Sequence, residues 1–78
     1  MVVKIISLSE GLEIINDVVA IRIKSFDYNL LIMKDYVPII GHIEGFLEIE
    51  TKNETIKKEN IVAYYINNNN EFKIIMKE

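Results

Sequence analysis

His42 is the only histidine of the chain, and with Glu44 two residues away it is the nearest approach to a general base or a metal ligand. On a strand the two side chains share a face. A metal centre needs more ligands converging on the same point, and no cysteine or second histidine exists to supply them. His42 is therefore expected at a strand end in a structural role. Glu48 and Glu50 also share a strand face, the arrangement from which acid–base pairs are built. Alternate charges on a strand, however, ordinarily form its wet side, and nothing in the flanking sequence marks a desolvated cleft. Ser7, Ser9 and Ser25 lack the base and oxyanion site that a nucleophile requires. The glycines stand singly at Gly11, Gly41 and Gly45, so no phosphate-cradling loop is present. No catalytic, cofactor-binding or metal-binding residue is expected.

The elements that would position these residues read as strands. Val19, Ile21 and Ile23 alternate with Ala20, Arg22 and Lys24, a period of two that predicts one buried face. Leu47 and Ile49 alternate with Glu48 and Glu50. Phe72, Ile74 and Met76 alternate with Lys73 and Lys77, interrupted by Ile75. Val2–Leu8 and Ile61–Ile66 are apolar runs, expected as strands buried more evenly. Turn residues separate the runs at Ser9-Glu10-Gly11, Asn16-Asp17, Asp27-Tyr28-Asn29, Glu44-Gly45, Lys52-Asn53-Glu54 and Asn67–Asn70. Asn and Asp tolerate positive φ and bond to their own backbone, which suits them to turns. The asparagine run between two apolar runs predicts a hairpin loop. A helix beginning at Ser9 is opposed by Gly11 in its first turn and by the Ile and Val residues that follow. The fold class is all-β, a small antiparallel β-sandwich of about eight to ten short strands, forming a single domain over residues 1–78.

Composition narrows the function further. The chain has 78 residues, half of them hydrophobic, with a net charge of −3. A domain this short buries only about 60% of its unfolded surface, so so rich an apolar content points to surface completed by a partner. The acidic balance excludes the basic patch that nucleic acid demands. Lys57 and Lys58, the only adjacent basic pair, lie close to Glu54 and Glu59. Tyr64 and Tyr65 point to opposite faces of a strand, so at most one could join a base-stacking platform. The longest apolar run, Ile61–Ile66, is far short of the ~20 residues of a membrane helix. No signal-peptide pattern opens the chain. A soluble, cytoplasmic protein is expected, with no nucleic-acid partner and no direct membrane insertion.

The order of these runs carries a resemblance. Val3–Leu8, the turn at Ser9-Glu10-Gly11, and the two-part strand Leu12–Ile15 and Val18–Ser25 come first. The hairpin at Asp27-Tyr28-Asn29 then leads through Leu30–Met33 into Lys34-Asp35-Tyr36-Val37-Pro38-Ile39-Ile40. Gly45 opens Phe46–Ile49, and Ile61–Ile66 and Phe72–Met76 close the domain. Over residues 2–77 this order is similar to the N-terminal β-sandwich of the ε subunit of rotary F-type ATP synthases. The family's Pro-Gly-His-Ala-Pro segment is kept only in its final proline, Pro38.

The resemblance implies a non-catalytic subunit of the central stalk that clamps a γ-like subunit and stands against a membrane rotor ring. It implies a γ-facing segment at Tyr36, Val37, Pro38 and Ile39, and ring-facing loops at Ser7 and Asn29. Proline is excluded from sheet centres and biases Val37 to extended geometry, which suits a strand edge where another subunit docks. The family's C-terminal helical hairpin, to which inhibition is attributed, would begin after Lys77-Glu78, so a constitutive clamp without that brake is expected. The machine served could be an ATP synthase or a specialised F-type-like ATPase. A free-standing β-sandwich adaptor, and a small enzyme or nucleotide binder, are the alternatives that residue types alone leave open.

Overall fold

The computed structural model describes residues 1–77. Among them every regular element is a strand: β1 (Val2–Ser7), β2 (Gly11–Ile15), β3 (Val18–Ser25), β4 (Asn29–Met33), β5 (Ile39–Thr51), β6 (Thr55–Asn68) and β7 (Glu71–Met76). The protein is all-β, as the alternation predicts.

The turns form where short polar side chains can bond to the backbone. Ser7 Oγ accepts from Glu10 N at 3.0 Å and closes the β1–β2 turn. Thr51 Oγ1 accepts from Glu54 N at 3.0 Å between β5 and β6. Asn69 and Asn70, with φ of 50° and 62°, make a two-residue connection between β6 and β7. Positive φ at both central residues is the hairpin geometry that matches strand twist.

The seven strands form one sheet in the order β2-β1-β7-β6-β5-β3-β4. β1 runs parallel to β7, and the other pairings are antiparallel. Strands from opposite ends of that order nevertheless share one core. Val3 and Ile15 of β1 and β2 cluster with Ile21 and Ile32 of β3 and β4. The sheet must therefore fold over, and the long strands β5 and β6 belong to both resulting layers.

The fold-over falls at a bulge, where the β5–β6 register shifts between Gly45 and Leu47. Asn60 on β6 takes a left-handed φ of 53° there. An extra residue on one strand bends it and increases its twist. Gly45 has φ 150°, and a Cβ would lie 2.5 Å from the Lys24 carbonyl oxygen. Glu44-Gly45 is thus a bulge inside a strand and not a turn between strands. This is one reason the strands are seven and long where a larger number of short ones was expected.

Two burial expectations also change. The β3–β5 register shifts between Val18 and Ala20, so Val18 enters the core while Val19 is left exposed. The apolar runs of β1 and β6 are not evenly buried. Val3, Ile5, Ile61, Ala63 and Tyr65 face inward, whereas Ile6, Tyr64 and Ile66 face out.

Candidate partner-docking site

Residues 34–38 connect β4 to β5. Asp35 adopts φ 64° and Tyr36 N donates to Met33 O at 3.2 Å, so the chain leaves β4 through a tight turn. The β6–β7 hairpin then holds the segment. Asp35 N donates to Asn70 Oδ1 at 2.6 Å, and Asn70 Nδ2 donates back to Asp35 Oδ1 at 3.1 Å. Asn67, 1% exposed, donates from Nδ2 to Val37 O at 3.5 Å.

This anchoring sorts the four residues carried over for a γ-like partner. Tyr36 and Ile39 are half-buried and pack against the core. Val37 and Pro38 are exposed, as is Ile40 just beyond them. Two side chains therefore root the segment and two are displayed. The local backbone is restricted by proline.

Ser7 and Asn29 lie at the other end of the molecule. Val2 N donates to Asn70 O, and Val18 N donates to Met1 O, so β1 and β3 both start beside the β6–β7 hairpin and run away from it. Ser7 ends β1, half-buried, and Asn29 follows the turn out of β3, exposed and opposite Lys24. Leu8 and Phe26, in the same two connections, are about nine-tenths exposed, at 91% and 90%. Neither tip was marked by the sequence, since single apolar residues beside turns carry no pattern.

The groups first considered for chemistry are engaged in the scaffold. The His42 carbonyl accepts from Tyr28 Oη at 2.7 Å, and its ring lies 5.0 Å from that of Tyr64. Tyr28 Oη is 3.0 Å from Tyr65 Oη. Burial, and then this hydrogen bond, push the Tyr65 hydroxyl well above the usual tyrosine range. Arg22 Nη1 donates to Glu50 at 2.7 Å and to Glu48 at 3.2 Å, and the Glu50 bond holds the guanidinium proton more tightly than usual. The two glutamates make a wet face with Arg22 between them.

The outer faces of the two layers differ. Beside Arg22, Glu48 and Glu50, the β4–β3–β5–β6 layer presents Lys57, with Leu31 and Met33 exposed on its edge strand. The other layer presents apolar side chains in register. Leu12 pairs with Ile6, Ile6 with Ile75, and Ile75 with Tyr64, all exposed. Ile75, which interrupts the β7 alternation, is the one sequence signal of this row.

No protein-family model matches the chain, and no curated protein matches its sequence. Among solved structures it is similar to a chain in the cryo-EM structure of the Tetrahymena thermophila mitochondrial ATP synthase, described as central stalk/c-ring. The TM-score is 0.71 with 18% identity over the whole of this chain. The likeness is one of fold. The match spans 63% of the length of that neighbour.

Proposed function

We propose that this chain is a non-catalytic rotor subunit of an F-type or F-type-like rotary ATPase, seated in the central stalk as the ε sandwich is. The observation that carries the reading is the fold match, over the whole of this chain, to part of a chain of an ATP synthase central stalk/c-ring structure. It agrees with the run-and-turn order of the sequence. In this reading Val37 and Pro38 meet a γ-like subunit, with Tyr36 and Ile39 holding them in place. The Ser7 and Asn29 connections, at the opposite end, face a rotor ring at the cytoplasmic side of the membrane. A sandwich with one partner-facing loop suits a clamp.

The test is affinity purification of the tagged chain from its own cells under mild detergent, with mass spectrometry of what accompanies it. The expected result is stoichiometric recovery of nucleotide-binding ATPase subunits and a γ-like stalk subunit. Recovery of the chain alone, or with proteins unrelated to a rotary ATPase, overturns the reading in favour of an independent adaptor.

A further inference from the structure

The apolar row Leu12–Ile6–Ile75–Tyr64 ends at His42, which pairs with Tyr64. A second row lies beside it. Ile14 pairs with Lys4, Lys4 with Lys73, Lys73 with Ile66, and Ile66 with Ile40. Ile14, Ile66 and Ile40 are exposed at 51%, 45% and 80%. The two rows make one continuous outer face that joins the Val37–Pro38 segment through Ile40. Contiguous exposed apolar surface on so small a domain marks an interaction site.

The charge on this face identifies the kind of partner. Lys4 and Lys73 both reach the single carboxylate of Glu71, at 3.0 Å and 3.7 Å. One carboxylate serves two ammonium groups, so the centre of the face keeps uncompensated positive charge in a chain of net charge −3. A second copy docked about a two-fold axis through this centre would set lysines against lysines, which costs affinity. A carboxylate on a different protein completes the pairing.

We infer that the outer face of the β2-β1-β7-β6 layer is a protein-docking surface whose partner presents an apolar patch bearing a carboxylate that meets Lys4 and Lys73. The inference deepens the stalk reading, which it takes as its setting, by moving the main contact from the loop to the adjoining sheet face.

The experiment places a benzophenone-bearing amino acid singly at Tyr64, Ile66 or Lys57 of the full chain, irradiates the native complex, and sequences the crosslinked peptides. Crosslinks from positions 64 and 66, and not from 57, to a segment containing Asp or Glu are expected. Lys73→Glu should then lower partner recovery at least about tenfold, the scale of a desolvated charge partner lost. Changing the partner's carboxylate to lysine should restore recovery with Lys73→Glu. Crosslinks from 57 alone, crosslinks to a second copy, or unchanged recovery with Lys73→Glu would each overturn the inference. Crosslinks from the stated face to a protein outside any rotary ATPase would uphold it while removing the stalk reading. The crosslinking arm alters no charge pair of the face, so it decides the matter even if a lysine variant folds poorly.

Discussion

Asn70 and Asp35 hold each other from opposite sides of a loop–hairpin junction: the Asp35 amide donates to the Asn70 side chain, and the Asn70 side chain donates to the Asp35 carboxylate. Both residues have left-handed backbones, φ 62° and 64°. Two tight turns, each built on a residue that tolerates positive φ, are thus tied by those same residues. The asparagine run divides its labour. Asn69 and Asn70 turn the hairpin, Asn70 also clasps Asp35, and Asn67 holds the Val37 carbonyl from inside.

Asn70→Gly keeps the backbone geometry and removes the clasp. The expected loss is about 1 kcal/mol of unfolding free energy, the usual net worth of an exposed-to-partly-buried hydrogen bond or two. Urea denaturation measures it. Hydrogen exchange should also quicken at Asp35, whose amide loses its acceptor. An unchanged Asp35 exchange rate would show that the clasp does not persist in solution.

Gly41 and Gly45 tolerate no side chain, for different reasons. At Gly41 a Cβ would collide with the ring and hydroxyl of Tyr65. At Gly45 it would meet backbone, the Lys24 carbonyl, in a φ that L residues avoid. Alanine at either should cost roughly 2 kcal/mol or more. The two should part in a double substitution. Tyr65→Leu should relieve much of Gly41→Ala and none of Gly45→Ala, a non-additivity that thermal unfolding would register.

The Tyr65 hydroxyl gives a pH signature. Its folded value is raised above the ordinary 10.0, first by burial and then by the Tyr28 bond. The folded state therefore holds this proton more tightly than the unfolded chain does. The resulting stability is fully present below pH 10 and declines as pH rises beyond it. Tyr65→Phe should lose about 1 kcal/mol at neutral pH through the missing hydrogen bond. The gap between the two proteins should narrow between pH 10 and pH 12. A gap that stays constant over that interval would assign the loss to packing alone.

Much of this architecture was legible in the residues. The inward sets Leu47 and Ile49, and Phe72, Ile74 and Met76, follow from alternation, and the turns at Asn16-Asp17, Lys52–Glu54 and the asparagine run follow from side chains that bond to backbone. Gly45 was misread because a positive-φ glycine serves a bulge as well as a turn, and only the partner strand tells them apart. Val19 was misread because the shift at Val18–Ala20 displaces alternation without altering composition. The apolar outer face was hidden for a related reason. Ile6, Tyr64 and Ile66 lie in runs with buried neighbours, and a sequence does not separate a strand covered on both sides by its own fold from one awaiting a partner. The 34–38 connection was singled out by the resemblance and its proline, but its division into rooted and displayed side chains required the asparagines of a distant hairpin.

That division yields the sharpest test of the loop. Tyr36 and Ile39 contact the core, so their truncation should act on stability before it acts on assembly. Val37 is 63% exposed and its carbonyl, not its side chain, is the group held by Asn67. Val37→Asp should therefore leave the unfolding midpoint nearly unchanged, since surface substitutions away from such contacts stay within about 0.5 kcal/mol. Against a γ-like partner the same change buries a charge in an apolar contact, and recovery of the assembled complex should fall at least about tenfold. Tyr36→Ala should show the reverse order, a loss of about 3 kcal/mol in stability from the missing aromatic packing, with assembly reduced only as far as the folded fraction is. Measuring both variants by denaturation and by complex recovery separates the two roles. If Val37→Asp assembles normally while remaining folded, the segment is a structural brace for the adjoining sheet edge and the partner contacts the protein elsewhere.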